Sequence, residues 1–266
     1  MTSIQSVIIG IVEGLTEFLP ISSTAHMRIT ESLLGIANND KYTEAFTVAI
    51  QLGAILSVVV LYRKKFLQFK NIHFYLKLLI AVIPALIFGK LFSEKIDAIL
   101  ETPLIIAAIM ILGGVIFLFV DNLFKVHEID DEAKVNYLTS LKIGLFQCLA
   151  ILFPGLSRSA ATIIGGMSLK LTRAAAAEFS FFLAVPTMFA ATVYKLYKFQ
   201  SDNGGFSGDQ IKQLAIGNLV AFVVALFAIK YFIQFLQKHG FRIWGYYRII
   251  IGIVLLGLIY TGIIPS

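Results

Sequence analysis

The chain nearly repeats itself at an offset of 134 residues, about half of its own length. At this offset identical residues coincide in the two halves, namely Gly10 with Gly144, Leu15 with Leu149, Pro20 with Pro154, Ser23 with Ser157, Ile29 with Ile163, Glu44 with Glu178, Ala81 with Ala215 and Phe88 with Phe222. Chance does not easily produce a series of identities at one offset that includes both the Pro and the Ser of one short motif. Such a repeat constrains the architecture before any single residue is interpreted. In a membrane protein it places the functional site at the junction of the two halves.

The composition indicates a membrane protein. Hydrophobic residues make up 58% of the chain and charged residues 14%, with a mean hydropathy of +0.85, whereas about 25% of residues are charged in soluble domains. The net charge of +6 does not indicate a nucleic-acid partner, because the basic residues lie in short loops beside apolar runs, where they set membrane orientation. The single cysteine, Cys148, excludes an intrachain disulfide. No removable signal peptide is expected, because the N-terminus lacks a basic region and a cleavage site.

Hydropathy predicts an all-α polytopic membrane protein with a single domain, residues 1–266. Two apolar stretches, 4–21 and 141–156, are interrupted by polar residues and a Pro, and each continues after a Ser/Thr-rich turn. A helix of about ten residues rises only about 15 Å, half of a roughly 30 Å hydrocarbon core. These stretches therefore predict re-entrant hairpins, which are tolerated at membrane depth when they line an enclosed cavity. Six other stretches are long enough to cross a membrane, namely 44–62, 76–92, 103–120, 178–194, 212–230 and 244–264.

The predicted fold is an inverted-topology repeat. Each half, about 1–132 and 135–266, contains one hairpin and three crossings, and an odd number of crossings inverts the second half. The basic residues concentrate on one side of the predicted membrane, as Arg63, Lys64, Lys65, Lys70, Lys77, Lys125, Lys134, Lys142, Lys170, Arg173, Lys238 and Arg242. The positive-inside rule makes that side cytoplasmic, so both termini and the first hairpin face outward. The acidic segment 121–134 is expected to be a solvated cytoplasmic linker, and 200–210 an outer loop.

The first hairpin contains the motif VEGLTEFLPISSTAH, residues 12–26. Glu13 and Glu17 are four residues apart, so they share one face of a helix. A carboxylate at membrane depth costs roughly 2.5–3.5 kcal/mol, and such residues usually face a polar cavity or a partner. The alternative is an interfacial pair at a fraying helix end.

Hydroxyl side chains follow Pro20 at the start of the return helix, as Ser22, Ser23 and Thr24. With the backbone N–H groups of a helix start, they form an anion-binding arrangement, although helix capping alone would use the same residues. His26 lies about one turn further. A lone histidine is more often a structural partner than a catalyst, but this one follows two acids and three hydroxyls.

The second hairpin contains the motif FPGLSRSAAT, residues 153–162. Gly155 allows the backbone to bend, and Arg158 supplies a permanent planar fork that suits phosphate. Further hydroxyls come from Ser157, Ser159 and Thr162. The alternative for Arg158 is a cytoplasmic charge that snorkels towards water.

The polar residues break the symmetry of the repeat. The offset places Arg158 opposite Thr24, and it places Gln147 and Ile151 opposite Glu13 and Glu17. The acids therefore belong to the first half and the arginine to the second. We expect the two hairpins to touch near the bilayer centre, with Glu17 and Ser23 facing Arg158.

Together, the motifs EGLTEFLP-SST-H and PG-SRS-AT resemble those of the bacterial undecaprenyl-diphosphate phosphatases of the bacitracin-resistance type. The resemblance covers essentially the whole chain, including EAFTVAIQLGAIL (44–56) and EFSFFLAVP (178–186). It implies a phosphatase of the plasma membrane that converts the C55 isoprenoid carrier diphosphate to its monophosphate and depends on a divalent cation. It also implies an active site made of Glu13, Glu17, Ser23, His26, Ser157, Arg158 and Thr162.

These residues suit that reaction on their own terms. Arg158 can hold the oxygens of a polyprenyl diphosphate, together with the substrate-binding hydroxyls of Ser22, Thr24, Ser157, Ser159 and Thr162. Glu13 and Glu17 could bind Mg²⁺ or Ca²⁺, with substrate phosphates completing the shell. Alternatively, one Glu or His26 acts as the general base. The nucleophile is either Ser23 or an activated water. The active site is expected to open to the extracytoplasmic side, with the isoprenoid tail among membrane lipids.

Two rival functions share some of these features. An inverted-repeat secondary transporter or carrier-lipid flippase uses the same plan, although the asymmetric polar residues favour a reaction. A lipid phosphatase with a nucleophilic histidine needs a partner histidine, and of the four histidines (His26, His73, His127 and His239) only His26 stands in a motif. The sequence does not fix the oligomeric state and leaves a homodimer open.

Overall fold

The computed structural model describes residues 1–36, 40–100 and 102–264, with residues 93–100 as helical backbone only. Throughout these residues the chain is helical, with one isolated bridge between Ile129 and Leu171. The helices are α1 (Ser3–Thr16), α2 (Ser23–Leu33), α3 (Lys41–Ala49), α4 (Gln51–Leu61), α5 (Arg63–Phe66), α6 (Ile72–Leu100), α7 (Pro103–Leu123), α8 (Tyr137–Leu152), α9 (Arg158–Ser168), α10 (Arg173–Asn203), α11 (Gly208–His239) and α12 (Arg242–Tyr260).

Six helical segments within the described residues are long and apolar enough to cross a membrane, as Lys41–Leu61, Ile72–Phe92, Pro103–Leu123, Arg173–Asn203, Gly208–His239 and Arg242–Tyr260. They coincide with the six predicted stretches, and the prediction of a polytopic all-α protein is confirmed. The first of them is α3 followed by α4, which meet at Ile50. The predicted outer loop 200–210 is too long, because α10 extends to Asn203 and α11 begins at Gly208.

Apart from the six long segments and the one-turn helix α5, the described residues contain two consecutive pairs of shorter helices, α1 with α2 and α8 with α9. They contain between 11 and 16 residues, so each rises at most about 24 Å. The loop after α1 contains Pro20 and the loop after α8 contains Pro154. Proline lacks the N–H that a helix interior requires, which favours the end of the helix at this point. Residues 17–22 form the first loop, and residues 153–157 form the second loop.

Helices α2 and α9 are each preceded by a capping serine with a left-handed backbone. Ser22 has φ 68° and Ser157 has φ 75°, and the hydroxyl of each accepts the N–H of the residue three positions further along the chain. Such a conformation costs of order 1–3 kcal/mol in a non-glycine residue and is characteristic of functional sites. The structure thus pairs Ser22 with Ser157, one residue away from the sequence offset, because the second loop is one residue longer between its Pro and its capping Ser. Arg158 consequently occupies the helix position of Ser23, and its predicted alignment with Thr24 is wrong.

The first short helix of each half packs against a long helix of the other half. Helix α1 contacts α11, and α8 contacts α6. The approach is close, because a Cβ atom on Gly10 would lie 2.8 Å from the Gly217 carbonyl and one on Gly144 would lie 2.2 Å from the Ala81 carbonyl. Helix α7 packs against α12, and α4 against α10. The first loop contacts α10 as well, because the rings of Phe18 and Phe181 pack edge to face with their centroids 5.1 Å apart.

The segment 121–134 is largely exposed, as its acidic composition predicts, but some of its residues are tied to the helix bundle. Glu132 is buried and forms an ion pair with Lys65. Asp121 accepts hydrogen bonds from Arg173 at 2.8 Å and from the backbone N–H of Phe241 at 2.7 Å. Asp121 and Glu132 are therefore paired with groups that lie far away in sequence, which fastens the two ends of the segment to the helices.

Candidate active site

The two loops bring three predicted site residues together. Arg158 Nη2 donates to Glu17 Oε1 at 2.8 Å, and Ser23 Oγ donates to Glu17 Oε2 at 2.6 Å. Glu17 caps the end of α1, while Ser23 and Arg158 are the first residues of α2 and α9. The predicted contact of Glu17 with Arg158 is therefore present, and Ser23 is connected to Arg158 through Glu17. The contact of Glu17 with Arg158 joins residues that are 141 positions apart.

The ion pair is shielded from solvent and supported from a third helix. The side chains of Arg158 and Glu17 are 14% and 7% exposed. Arg158 Nη1 donates to the Ser180 carbonyl of α10 at 3.0 Å, which orients the guanidinium plane. Arg158 Nε is buried, and the described residues supply no acceptor for it. This N–H is therefore left without a hydrogen bond inside the part of the protein that the structure describes.

The other hydroxyls of the second motif connect protein groups. Ser159 Oγ donates to the Leu19 carbonyl at 2.8 Å, and Ser157 Oγ lies 2.9 Å from Ser159 Oγ. Thr162 Oγ1 lies 2.6 Å from Ser180 Oγ. These bonds hold the second loop against the first and hold α9 against α10. The substrate-binding role of these hydroxyls stays a prediction.

His26 lies apart from the Glu17 carboxylate. Its Nδ1 is 2.8 Å from the Ser22 carbonyl and its Nε2 is 2.8 Å from the Tyr247 hydroxyl. The His26 and Tyr247 rings are stacked, with centroids 5.6 Å apart. Since both ring nitrogens are engaged by groups other than Glu17 and Ser23, His26 supports the strained turn at Ser22 in this structure. The structure thus does not place it as a base for Ser23.

Glu13 lies one turn before Glu17 on α1 and is almost completely buried. Its Oε1 atom has no hydrogen-bond partner among the described residues. An unpaired buried carboxylate oxygen is costly, which makes Glu13 a candidate ligand for a cation. Within the described residues, no group of three or more His, Cys, Asp or Glu side chains could hold a metal ion. A site with two carboxylates, Glu13 and Glu17, nevertheless fits Mg²⁺, which is commonly held by one or two carboxylates together with substrate phosphates.

A cavity of about 650 Å³ opens next to these residues. Glu13, Ser23 and Thr24 line its inner end, and polar faces of α2, α3 and α10 line the remainder. Thr24 is exposed to this cavity, whereas Ser22 is buried and caps α2. The cavity offers a diphosphate group a polar path to Ser23.

Charged residues of the cavity wall were not singled out from the sequence. Lys195 Nζ lies 2.9 Å from Glu44 Oε2, and Arg28 Nη1 lies 3.8 Å from Glu31 Oε2. The sequence does contain a pattern that could have identified them. Charged residues recur at helical spacing within or beside apolar segments, where they usually face a polar cavity.

Arg248 is a second residue that the sequence reasoning missed. It is fully buried on α12, inside the apolar stretch 244–264. Its guanidinium donates to the backbone carbonyls of Pro20, Gly155 and Leu156. An arginine in a membrane-spanning stretch is by default a functional candidate, and this signal could have identified it.

Comparison with known proteins identifies the family. The family described as Bacitracin resistance protein BacA matches residues 6–254. The undecaprenyl-diphosphatase of Flavobacterium psychrophilum is 57% identical over 256 residues, which cover 96% of this chain and 95% of the relative. The undecaprenyl-diphosphatase of Porphyromonas gingivalis strain W83 is 49% identical over 280 residues, which cover 99% of both chains. That of Bdellovibrio bacteriovorus is 48% identical over 265 residues, which cover 98% of both. With its two motifs joined through Glu17 and Arg158 and this similarity along nearly its whole length, the chain belongs to the BacA family of bacitracin resistance proteins.

Proposed function

We propose that this protein is a membrane phosphatase that hydrolyses undecaprenyl diphosphate to undecaprenyl phosphate and inorganic phosphate. This reaction recycles the carrier lipid for cell-wall synthesis and gives resistance to bacitracin. The observation that carries the proposal is the Glu17 carboxylate, which binds the Ser23 hydroxyl with one oxygen and the Arg158 guanidinium with the other. A hydroxyl, a base and a cation thus meet beside a polar cavity. Three relatives of nearly equal length carry the name undecaprenyl-diphosphatase, which supports the same activity.

The geometry favours Ser23 as the nucleophile. Its Oγ lies 2.6 Å from Glu17 Oε2, within the reach that a general base requires. Glu17 accepts the hydroxyl proton while Oγ bonds to the terminal phosphorus and the bond from that phosphorus to the bridging oxygen breaks. Undecaprenyl phosphate leaves, and a water molecule then attacks the phosphoserine, releases inorganic phosphate and restores the Ser23 hydroxyl. A direct attack by water, with Glu17 as its base, is the alternative.

Arg158 is the proposed phosphate clamp. Its Nη2 atom already binds Glu17, and its buried Nε–H has no acceptor within the described part of the chain. A donor aimed at the oxygens on which charge develops stabilises the transition state more in a water-poor site than it would in water. The hydroxyls and N–H groups of Ser22, Ser23 and Thr24 at the start of α2 add further donors.

Glu13 and Glu17 are the proposed ligands of the divalent cation. The unpartnered Glu13 Oε1 at the inner end of the cavity supports this assignment. When bound, Mg²⁺ or Ca²⁺ would neutralise negative charge on the diphosphate oxygens. The main role of Glu13 is then to bind the cation, whereas the main role of Glu17 is to accept the proton of Ser23.

We also propose that the fold is an inverted repeat with two re-entrant hairpins. Gln5 near the start of α1 donates to the carbonyl of Leu34 just after the end of α2 at 3.0 Å, which supports entry and return on one side. At the opposite end of the bundle, the carbonyl of Lys170 after α9 accepts the N–H groups of Glu128 and Ile129, in the segment that leads to α8. Helix α1 of the first half packs on α11 of the second, and α8 of the second half packs on α6 of the first. This reciprocal packing supports a pseudo-two-fold axis that relates the two halves.

The proposed location is the bacterial plasma membrane, with the active site open to the extracytoplasmic side. The support is electrostatic, because the basic residues of the linker region, among them Lys65, Lys77 and Lys134, gather at one end of the bundle and short basic loops stay in the cytoplasm. The cavity extends towards the other end, past Lys195 to Asn203 of α10. The isoprenoid tail would leave sideways between helices into the lipid.

The test is phosphate release by the purified protein from undecaprenyl diphosphate in detergent micelles with added Mg²⁺. We expect one inorganic phosphate per lipid molecule and the loss of most turnover in Arg158→Lys. Arg173→Lys is the matched control, since Arg173 also forms an ion pair but lies at the start of α10, about two turns before Ser180. A protein that releases no phosphate yet moves the intact lipid between leaflets of a vesicle would instead be a flippase. The names of the relatives do not favour that outcome.

A further inference from the structure

Arg248 holds the apices of both loops with a single side chain. Arg248 Nη1 donates to the Pro20 carbonyl at 3.1 Å and to the Leu156 carbonyl at 3.0 Å, and Nη2 donates to the Gly155 carbonyl at 2.8 Å. Pro20 belongs to the first loop, and Gly155 and Leu156 to the second. The guanidinium therefore links the two segments that carry Ser23 and Arg158, although α12 itself carries neither.

This arginine is an unusual charge for a membrane-spanning helix. It is 0% exposed, and in the part of the chain that the structure describes it forms no ion pair with a carboxylate. Its compensation comes from the three carbonyls and from the Phe117 ring, whose centroid lies 5.1 Å from Arg248 Cζ. A planar fork suits such divergent acceptors, whereas an ammonium is a compact point charge. Retaining so costly a group indicates a role that a neutral side chain of α12 would not fill.

Glycines of the first half leave room for the Arg248 side chain. The offset of 134 residues places Gly114 opposite Arg248, and the neighbouring Gly113 faces the guanidinium on α7. A Cβ atom on Gly113 would lie 2.6 Å from Arg248 Nη2. The first half thus has glycines where the second half has an arginine. Arg248 is a second place, after Arg158, where a cation of the second half has no counterpart in the first.

We propose that Arg248 is a positioning residue that sets the placement of Ser23 and Glu17 relative to Arg158. It fixes a carbonyl three residues before Ser23 and another two residues before Arg158. Because the peptide unit is planar, drawing the Leu156 carbonyl towards Arg248 turns the Ser157 N–H the opposite way, away from the guanidinium. The inference rests on the proposed phosphatase function, since it assigns Arg248 to the geometry of that same site.

Gly113→Ala provides the sharpest test, because it displaces the guanidinium without removing any charge or donor. Gly257→Ala on α12 is the matched control, since a Cβ atom there meets nothing within 4 Å. Arg248→Lys is the second variant, because it keeps the charge but cannot reach three carbonyls. The readouts are kcat and KM for phosphate release, the melting temperature, and the rate at which a thiol reagent labels Ser23→Cys in a Cys148→Ala background.

We expect Gly113→Ala and Arg248→Lys to lower kcat by about 10–100-fold, as for a misplacement of about 1 Å. KM should stay within about threefold, which separates positioning from loss of substrate binding. Gly257→Ala should match the parent. Unchanged kcat in the folded Gly113→Ala protein, or a lower melting temperature as its only effect, would overturn the proposal. If Arg248→Lys does not fold, Gly113→Ala decides alone.

The labelling rate separates this inference from the proposed function. If the parent protein releases no phosphate, the phosphatase proposal fails, but Ser23→Cys still reports the first loop. A labelling rate that changes in Gly113→Ala and not in Gly257→Ala supports positioning by Arg248. Equal rates in both variants contradict it.

Discussion

Glu17 and Arg158 form a buried ion pair, with 2.8 Å between Oε1 and Nη2, that joins the end of α1 to the start of α9. The partners come from opposite halves of the chain. Removing one partner of a buried pair leaves the other uncompensated, which costs about 3–5 kcal/mol. The pair therefore holds the two motifs together and also presents the proposed catalytic groups. Variants of these residues must accordingly be scored for folding as well as for turnover.

Arg158→Lys should lower phosphate release by at least about 100-fold, because an ammonium does not reproduce the fork that binds Glu17 and phosphate together. The melting temperature should fall less than in Arg158→Met, since the lysine keeps the positive charge beside Glu17. Steady-state phosphate release with undecaprenyl diphosphate measures the effect. Arg173→Lys, at the ion pair with Asp121, should retain the parent rate. Near-parental turnover in Arg158→Lys would show that the guanidinium is not the clamp.

The two acids should differ in their response to metal. Glu13→Gln removes a ligand, so we expect it to raise the Mg²⁺ concentration needed for half-maximal activity by about 10–100-fold, with partial recovery at high Mg²⁺. Glu17→Gln should lose activity that added Mg²⁺ does not restore, because an amide cannot accept the Ser23 proton. Chelation of the parent enzyme should abolish turnover reversibly. Glu128→Gln, whose side chain is 59% exposed, is the control.

Equal Mg²⁺ dependence in Glu13→Gln and the parent would remove Glu13 from the metal site. Recovery of Glu17→Gln at high Mg²⁺ would identify Glu17 as a ligand only and would transfer the role of base to another group.

The orientation predicts which surface positions a membrane-impermeant thiol reagent reaches in intact cells. In a Cys148→Ala background, a cysteine at Asp209 at the start of α11 should label directly. A cysteine at Asp130, whose side chain is 69% exposed, should label only after the membrane is permeabilised. Labelling of position 130 from the outside, with position 209 protected, would contradict the proposed direction of both hairpins and of the cavity.

The sequence predicts those parts of this molecule that depend on local pattern. Hydropathy locates the six membrane-spanning segments, because an apolar run of sufficient length has few alternatives to crossing. The prolines at 20 and 154 locate the breaks in the short helices. The split of acids and arginine between the halves predicts the contact of Glu17 with Arg158, since the repeat brings the two loops together.

The remaining features depend on long-range contacts that a local pattern does not contain. The acidic segment before α8 looks solvated, but Glu132 is buried because Lys65 reaches it from 67 residues away. One extra residue in the second loop shifts the register, so that Arg158 replaces Ser23 rather than Thr24. Arg248 binds backbone carbonyls, and carbonyl positions carry no signature in side-chain sequence. His26 lies in the predicted site motif, but its ring stacks on Tyr247 and its Nε2 atom lies within hydrogen-bond distance of the Tyr247 hydroxyl.

Ser23→Ala decides the nature of the nucleophile. If Ser23 forms a phosphoserine, the variant should lose nearly all turnover, because no other described hydroxyl bonds to Glu17. If Ser23 only donates to phosphate, turnover should fall by about 10²–10³, the effect of one positioning donor, and stay measurable. We expect the first result, since Ser23 Oγ lies 2.6 Å from Glu17 Oε2 and lines the cavity.

Ser168→Ala is the control for that variant, because Ser168 Oγ bonds only to the Gly165 carbonyl at the far end of α9. A burst of undecaprenyl phosphate that precedes phosphate release would add direct support for the covalent step, and rapid-quench sampling of the parent enzyme measures it. Folded Ser23→Ala protein that turns over within about tenfold of the parent would exclude both roles for this residue. In that case water would be the nucleophile, and the short bond from Ser23 to Glu17 would serve to orient the carboxylate towards it.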